Sequence, residues 1–229
     1  MYCSEFWAIT VTPTDRVTWR ELSRSLPISV TNGHTGPIVK SMRSRLPAIA
    51  REIGADERTL RRAASRGTLR CRRSRPRHLE LDGAEHAYLK THWALLSRLT
   101  QALRTEPNVS MAALYGSTAR GDDGPDADVD LLVALRNPAA PGGVPALAAR
   151  LEQAVGRHVD VAVLDRAREQ TPQLLLHALD DGRVLVDRED QWRDLLARRP
   201  GVQAAARRAR RRARQEAADS LRMLVEDES

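Results

Sequence analysis

The sequence predicts an α/β (α+β) fold in which a mixed sheet is covered by helices, behind a small, mostly helical module with the spacing of a winged helix-turn-helix. Three observations carry this. From about residue 108 to 190, short apolar strand patterns alternate with helical ones; between 46 and 67 two short helical faces flank a glycine; between 69 and 81 apolar and charged residues alternate on either side of a proline turn. Strands alternating with helices call for a sheet whose faces bury the helices' apolar stripes.

Residues 1–42 hold no sustained period and carry turn formers at Pro13, Pro27, Asn32-Gly33 and Gly36-Pro37. They are expected to be a poorly ordered leader, which a translation start at Met42 would explain. From Leu46 the pattern becomes regular. Leu46, Ile49, Ala50 and Ile53 fall at i, i+3, i+4 and i+7 and define one helix face, which Gly54 ends. Asp56 is a good cap for a second helix, with Leu60, Ala63 and Ala64 inward, Arg58, Arg61, Arg62 and Ser65 outward, and Gly67 as the stop. Leu69 and Cys71, then Leu79 and Leu81, alternate with polar residues across the turn SRPR, as a two-stranded wing would. Residues 43–82 thus form the helix-turn-helix module. Over 83–107 a connecting helix is expected, with Ala84, Tyr88, Leu89, Trp93, Leu96, Leu99 and Leu103 on its apolar side.

The domain expected over 108–199 reads as strand VSMAALY, a glycine turn, strand VDLLVAL, a loop at NPAAPGG, helix PALAARLEQAVG, strand VDVAVL, helix TPQLLLHALDDG and strand RVLV. A basic helix over 200–229 closes the chain.

With 229 residues, 41% of them apolar, the chain has enough material for two modest domains. Lys plus Arg number 37 against 30 for Asp plus Glu, and nearly all the basic residues are arginine, whose planar fork suits phosphate. Host codon usage would raise the arginine total as well, but it does not explain the clusters. Cys3 and Cys71 lie far apart with no CxxC neighbour, so neither a disulfide framework nor a zinc site is indicated. His86, His92, His158 and His177 have no ligand spacing among them. Asp15, Arg16 and Arg20 interrupt any signal-peptide core, and no uncharged run approaches the roughly 18 residues of a membrane span. A soluble, cytoplasmic protein without a membrane partner is expected.

The chemistry concentrates in LYGSTARGDDGPDADVDLLV. Asp128 and Asp130 stand two apart, so in a strand both face one side while Val129 turns to the core. Neighbouring carboxylates raise each other's proton affinity, a cost that a divalent cation removes, and magnesium suits one or two carboxylates plus substrate phosphates. Asp160 is an isolated charge in the apolar strand HVDVAVL and is placed to be a third acid; the alternative is a strand-edge aspartate facing water. Gly116 and Ser117 follow directly on an apolar strand. Glycine lets backbone approach a phosphate, and a serine amide and hydroxyl can donate to its oxygens. Arg120 either contacts phosphate or an acid of the site, or pairs on the surface with Asp122 or Asp123.

These residues resemble a known family. GSTARG, then DADVDLLV, then HVDVAV is similar to the minimal nucleotidyltransferases (MNT type) of the polymerase-β-like superfamily, whose pattern is GSxARG, SDxDL and a third Asp in a following strand. The resemblance covers roughly residues 108–190. Ala127 departs from it, standing where the family commonly has Ser. The resemblance implies a nucleotidyltransferase fold and a magnesium-dependent transfer of a nucleoside monophosphate from an NTP, with ATP the expected donor, to an acceptor hydroxyl. It assigns Gly116, Ser117 and Arg120 to the nucleotide, Asp128, Asp130 and Asp160 to the metals, and Asp160 to helping activate the acceptor. It also brings a partner, since many MNT proteins are antitoxins that modify or bind a helical HEPN-type toxin.

Between Ser41 and His78 there are twelve arginines against three acids, Glu52, Asp56 and Glu57. Such density on a second helix and wing suits DNA phosphates, with Arg58, Arg61, Arg62, Arg66, Arg70 and Arg72 as the expected contacts. Arg198, Arg199, Arg207, Arg208, Arg210, Arg211, Arg212 and Arg214 precede any acid in the terminal helix, which could meet nucleic acid, an acidic partner or only solvent. Two functions are therefore expected: a nucleotidyltransferase fused to a DNA-binding module, or a DNA-binding regulator or antitoxin whose nucleotidyltransferase fold is not catalytic.

Overall fold

The computed structural model describes residues 44–75 and 78–227. The leader expected over 1–42, with Met42, and the turn residues Pro76 and Arg77 lie outside the described residues.

The chain enters through a two-residue strand, β1 (Ser44–Arg45), and helix α1 (Leu46–Glu52). Helix α2 (Glu57–Arg66) is capped by the Asp56 carboxylate, which accepts from the Thr59 amide at 3.0 Å. It stops at Gly67, whose φ of 91° is a left-handed value that glycine adopts without strain. Strands β2 (Arg72–Arg75) and β3 (His78–Leu81) follow, and the small sheet is antiparallel in the order β1-β3-β2. Strand β1 was not expected, because two residues are too few to show a period.

Helix α3 (Gly83–Arg104), capped by Asp82, leads to the larger sheet. That sheet comprises β4 (Val109–Tyr115), β5 (Val129–Leu135), β6 (Val159–Val163) and β7 (Arg183–Asp187), in the order β6-β5-β4-β7. It is mixed, since β4 runs antiparallel to β5 and β7 while β5 and β6 are parallel. The helices are α4 (Gly116–Arg120), α5 (Gly143–Val155), α6 (Leu164–Gln170), α7 (Pro172–Asp181), α8 (Gln191–Ala197) and α9 (Arg199–Asp227). Two of these, α6 and α8, escaped the sequence reading. Each is only seven residues long and buries two residues at i, i+3 spacing, Leu164 with Ala167 and Trp192 with Leu195, too short a run to display a face.

Period-two alternation divides the sheet's side chains between two cores. Ala112, Leu114, Leu131, Val133 and Leu185 belong to one, with Leu96, Leu99 and Leu103 of α3 and Leu147 and Leu151 of α5. The same cluster takes in Leu46, Ile49, Leu60, Leu69 and Leu81, so the amino-terminal helices and the sheet share one core. Met111, Ala113, Leu132, Ala134 and Val184 pack on the other side against α6, α7 and α8. No helix among the described residues is long and apolar enough to cross a membrane.

Candidate active site

One end of the larger sheet gathers the residues that the motifs single out. Strand β4 finishes there at Tyr115, while β5 and β6 begin there. Register places Tyr115 opposite Asp130, and Asp130 opposite Asp160. Laterally paired residues point to the same face, here the face shared with Leu132 and Ala162, against which α6 and α7 pack. Asp160 is exposed and Asp130 is partly buried.

Asp128 sits differently from the expectation that placed it in the strand with Asp130. Strand β5 starts at Val129, so Asp128 is the last residue of the preceding loop and is exposed. The strand pattern VDLLVAL extends cleanly only from Val129, whereas proline and glycine upstream favour loop.

Among the described residues, no carboxylate oxygen of Asp128, Asp130 or Asp160 has a hydrogen-bond or ion-pair partner. The Asp130 carboxyl is pushed above its ordinary range, first by burial and then by the charges of Asp160 and Asp128. Also among the described residues, no three His, Cys, Asp or Glu side chains are grouped closely enough to hold a metal ion. The site therefore offers a hard cation several uncompensated carboxylate oxygens along one edge, which fits the oxygen preference of magnesium; a bound ion would have to draw them together.

Gly116 turns the chain from β4 into α4 with φ 75°. A Cβ at this position would collide with the Asp130 carboxylate, so the close approach and the left-handed backbone both demand glycine. Ser117 follows it, partly buried. Arg120 is exposed, its Nε donating to Asp122 at 3.1 Å and its Nη1 to Asp181 at 2.9 Å. Of the two roles foreseen for it, the surface pairing is the one observed, with an additional partner on α7.

Sequence reasoning missed the polar cluster behind the loop. Asp123 is almost fully enclosed and meets His92 and Arg157, residues 31 and 34 positions away, at 2.7 and 3.0 Å. Nothing in the run GDDGPDAD marks which aspartate turns inward. Tyr115 was also passed over, although its place immediately before Gly116 was a usable signal. Burial and then the charges of Asp130 and Asp160 push its phenol upward.

The arginines expected to meet DNA occupy unlike settings. Arg58 and Arg62 are exposed on α2, and Arg72 is exposed on β2. Arg61 donates from Nε to Glu57 at 2.8 Å. Arg66 is partly buried, with an Nε that finds no hydrogen-bond partner among the described residues. Arg70 donates from Nη2 to the Asp181 carbonyl at 2.8 Å, which ties it to the end of α7.

The mixed sheet, the glycine turn and the acidic edge together define a nucleotidyltransferase domain. Residues 97–191 match the family described as Polymerase beta, Nucleotidyltransferase. No curated protein matches the chain. Among solved structures, one described as a toxin-antitoxin with AMP-PNP is 18% identical with a TM-score of 0.45, and the match covers 54% of this chain and 98% of that one. A complex of a tri-AMPylated Shewanella oneidensis HEPN toxin with an MNT antitoxin gives 20% identity and a TM-score of 0.42, covering 56% and 98%. For a structure from Sulfolobus solfataricus the values are 15% and 0.29, over 46% and 88%.

Proposed function

We propose that this protein is a cytoplasmic, magnesium-dependent nucleotidyltransferase of the MNT antitoxin type, which moves a nucleoside monophosphate from an NTP, with ATP the expected donor, to a hydroxyl of a HEPN-type toxin partner and releases pyrophosphate. The observation that carries the reading is the register row Tyr115, Asp130, Asp160, which presents unpartnered carboxylates beside a glycine that has no room for a side chain. Asp128 and Asp130 are the residues to hold magnesium, with Asp160 beside them. The ion, when bound, offsets triphosphate charge and makes an attacking hydroxyl more acidic. Gly116 lets the triphosphate approach the backbone, Ser117 donates to its oxygens, and Asp160 assists in drawing the proton from the acceptor. Arg120 belongs to the rim of this site and must release Asp122 or Asp181 to reach a phosphate.

The test is label transfer from α-labelled ATP with magnesium, supplied with a helical HEPN-like partner. Asp128→Asn combined with Asp130→Asn should abolish transfer, a loss of at least about a hundredfold given the electrostatic work assigned to the acids. Transfer that survives the double change sinks the catalytic assignment.

A second reading, DNA binding by the module over 43–82, is favoured by the exposure of Arg58 and Arg62 side by side on α2 and of Arg72 on β2. Replacing Arg58 and Arg62 with Ala should weaken retention on duplex DNA and flatten its salt dependence by about two phosphate contacts. An unchanged salt slope rejects this role, whatever the outcome of the transfer assay.

A further inference from the structure

The loop that delivers Asp128 has an internal latch. Residues 121–128 connect α4 to β5 and contain four aspartates. Their surroundings differ sharply: the Asp122 side chain is 60% exposed, whereas that of Asp123 is 4% exposed. Both oxygens of Asp123 are engaged. Oδ1 lies 2.7 Å from His92 Nε2, and Oδ2 accepts from Arg157 Nη1 at 3.0 Å. His92 is itself fixed, stacked on Tyr88 with ring centroids 4.4 Å apart. The Tyr88 hydroxyl donates to the Thr118 carbonyl at 3.1 Å, in the turn that follows Gly116.

From this anchor two contacts reach the backbone beside Asp128. Arg157 Nε donates to the Ala127 carbonyl at 2.9 Å, and its Nη2 donates to the same oxygen. The Thr118 hydroxyl donates to the Asp128 carbonyl at 3.2 Å. Ala127 has no side-chain hydroxyl to steady the loop. The grip on its carbonyl comes instead from a guanidinium whose other end is clamped by Asp123.

We propose that Asp123 is a positioning residue for Asp128: by orienting Arg157 against the Ala127 carbonyl, it sets the backbone that presents the Asp128 carboxylate beside Asp130. This rests on the proposed metal-holding role of Asp128. Asp123 touches neither substrate nor ion. A buried carboxylate clamped by two basic groups costs much to enclose, and its reward is a loop fixed at both carbonyls.

The probe is Mn2+ added to the full-length protein without nucleotide, with the free ion followed by its electron paramagnetic resonance signal. Thermal unfolding is recorded on the same samples. Asp123→Asn should weaken Mn2+ binding about tenfold, the usual effect of losing a group that orients a metal ligand. In an Asp128→Asn background the same change should add nothing, because the carboxylate it positions is gone. A merely structural role would lower the unfolding temperature while leaving Mn2+ affinity intact, or would act equally in both backgrounds, and either result overturns the proposal. Should Asp123→Asn fail to fold, Arg157→Lys replaces it, keeping a charge for Asp123 but losing the fork on Ala127; unchanged Mn2+ affinity there is equally fatal. If the unaltered protein binds no Mn2+, or Asp128→Asn binds it as tightly, the metal site itself is wrong and this inference falls with it. If Asp128→Asn binds weakly and Asp123→Asn normally, only the inference fails.

Discussion

Two groups of charges in this molecule are treated in opposite ways. Arg183, at the start of β7, and Glu85, in α3, are 1% and 4% exposed, and their donors and acceptors are matched. Arg183 donates to both Glu85 oxygens at 2.7 and 2.9 Å, to the Ala119 carbonyl at 2.6 Å and to the Thr68 carbonyl at 3.2 Å, and its guanidinium lies 3.5 Å above the Tyr88 ring. At the acidic end of the same sheet, the carboxylates of Asp128, Asp130 and Asp160 have no partner among the described residues. Charge that the chain balances itself holds elements together: Thr68 follows α2, Glu85 lies in α3 and Ala119 in α4, and one guanidinium joins all three to the sheet. Charge left unbalanced is available to something from outside.

The largest effect should come from breaking the balanced pair. Glu85→Ala leaves Arg183 buried beside no carboxylate and removes the acceptor for the Arg70 amide, and truncating one partner of a buried pair costs about 3–5 kcal/mol. Urea unfolding at neutral pH measures this. A loss below about 1 kcal/mol, the range of exposed pairs, would show that the junction is weaker than its geometry and erase the contrast with the acidic end.

The contrast also explains how much could be read from the chain. Helices α1 and α2, the long α3 and every strand of the larger sheet were legible because each repeats an apolar period several times, and Asp56 and Gly67 punctuate their ends. The closeness of Gly116 and Asp130 was legible because both lie in one segment at a short spacing; Asp160, an isolated charge in an apolar strand, lies exposed on the edge strand β6, which is the alternative the sequence left open for it. Glu85, Arg183, Asp123 and Arg157 were not. Each pairs across 34 or more positions, 98 for Glu85 with Arg183, and an arginine or a carboxylate in the sequence looks the same whether its partner is a protein group or water. Alternation extended one residue too far puts Asp128 in the strand, whereas it ends a loop held by side-chain bonds that leave no periodic trace.

A smaller effect sharpens the comparison through pH. Burial alone would raise the Asp123 carboxyl, but hydrogen bonds from His92 and Arg157 outweigh it and hold the group below its ordinary value. Its contribution to stability is therefore present above the unfolded carboxylate pKa and disappears as pH falls through the lower folded value. Asp130 has the opposite sign. Its folded pKa is raised by burial and by Asp160 and Asp128, so ionisation destabilises the fold at neutral pH, and that penalty is relieved as pH drops through the raised value toward the ordinary one. With divalent ions removed, Asp130→Asn should stabilise the protein at pH 7 by on the order of 0.5 kcal/mol, since the half-exposed group is screened by solvent, and the gain should fade near pH 4. Asp123→Asn should destabilise at pH 7 and lose most of its effect only below about pH 4, where the unfolded carboxyl is also protonated. Urea titrations of the two variants from about pH 2 to 8 decide it. Were Asp130→Asn to destabilise at pH 7, its carboxylate would have to be compensated within the fold, and the acidic edge would be structure rather than a place for a cation.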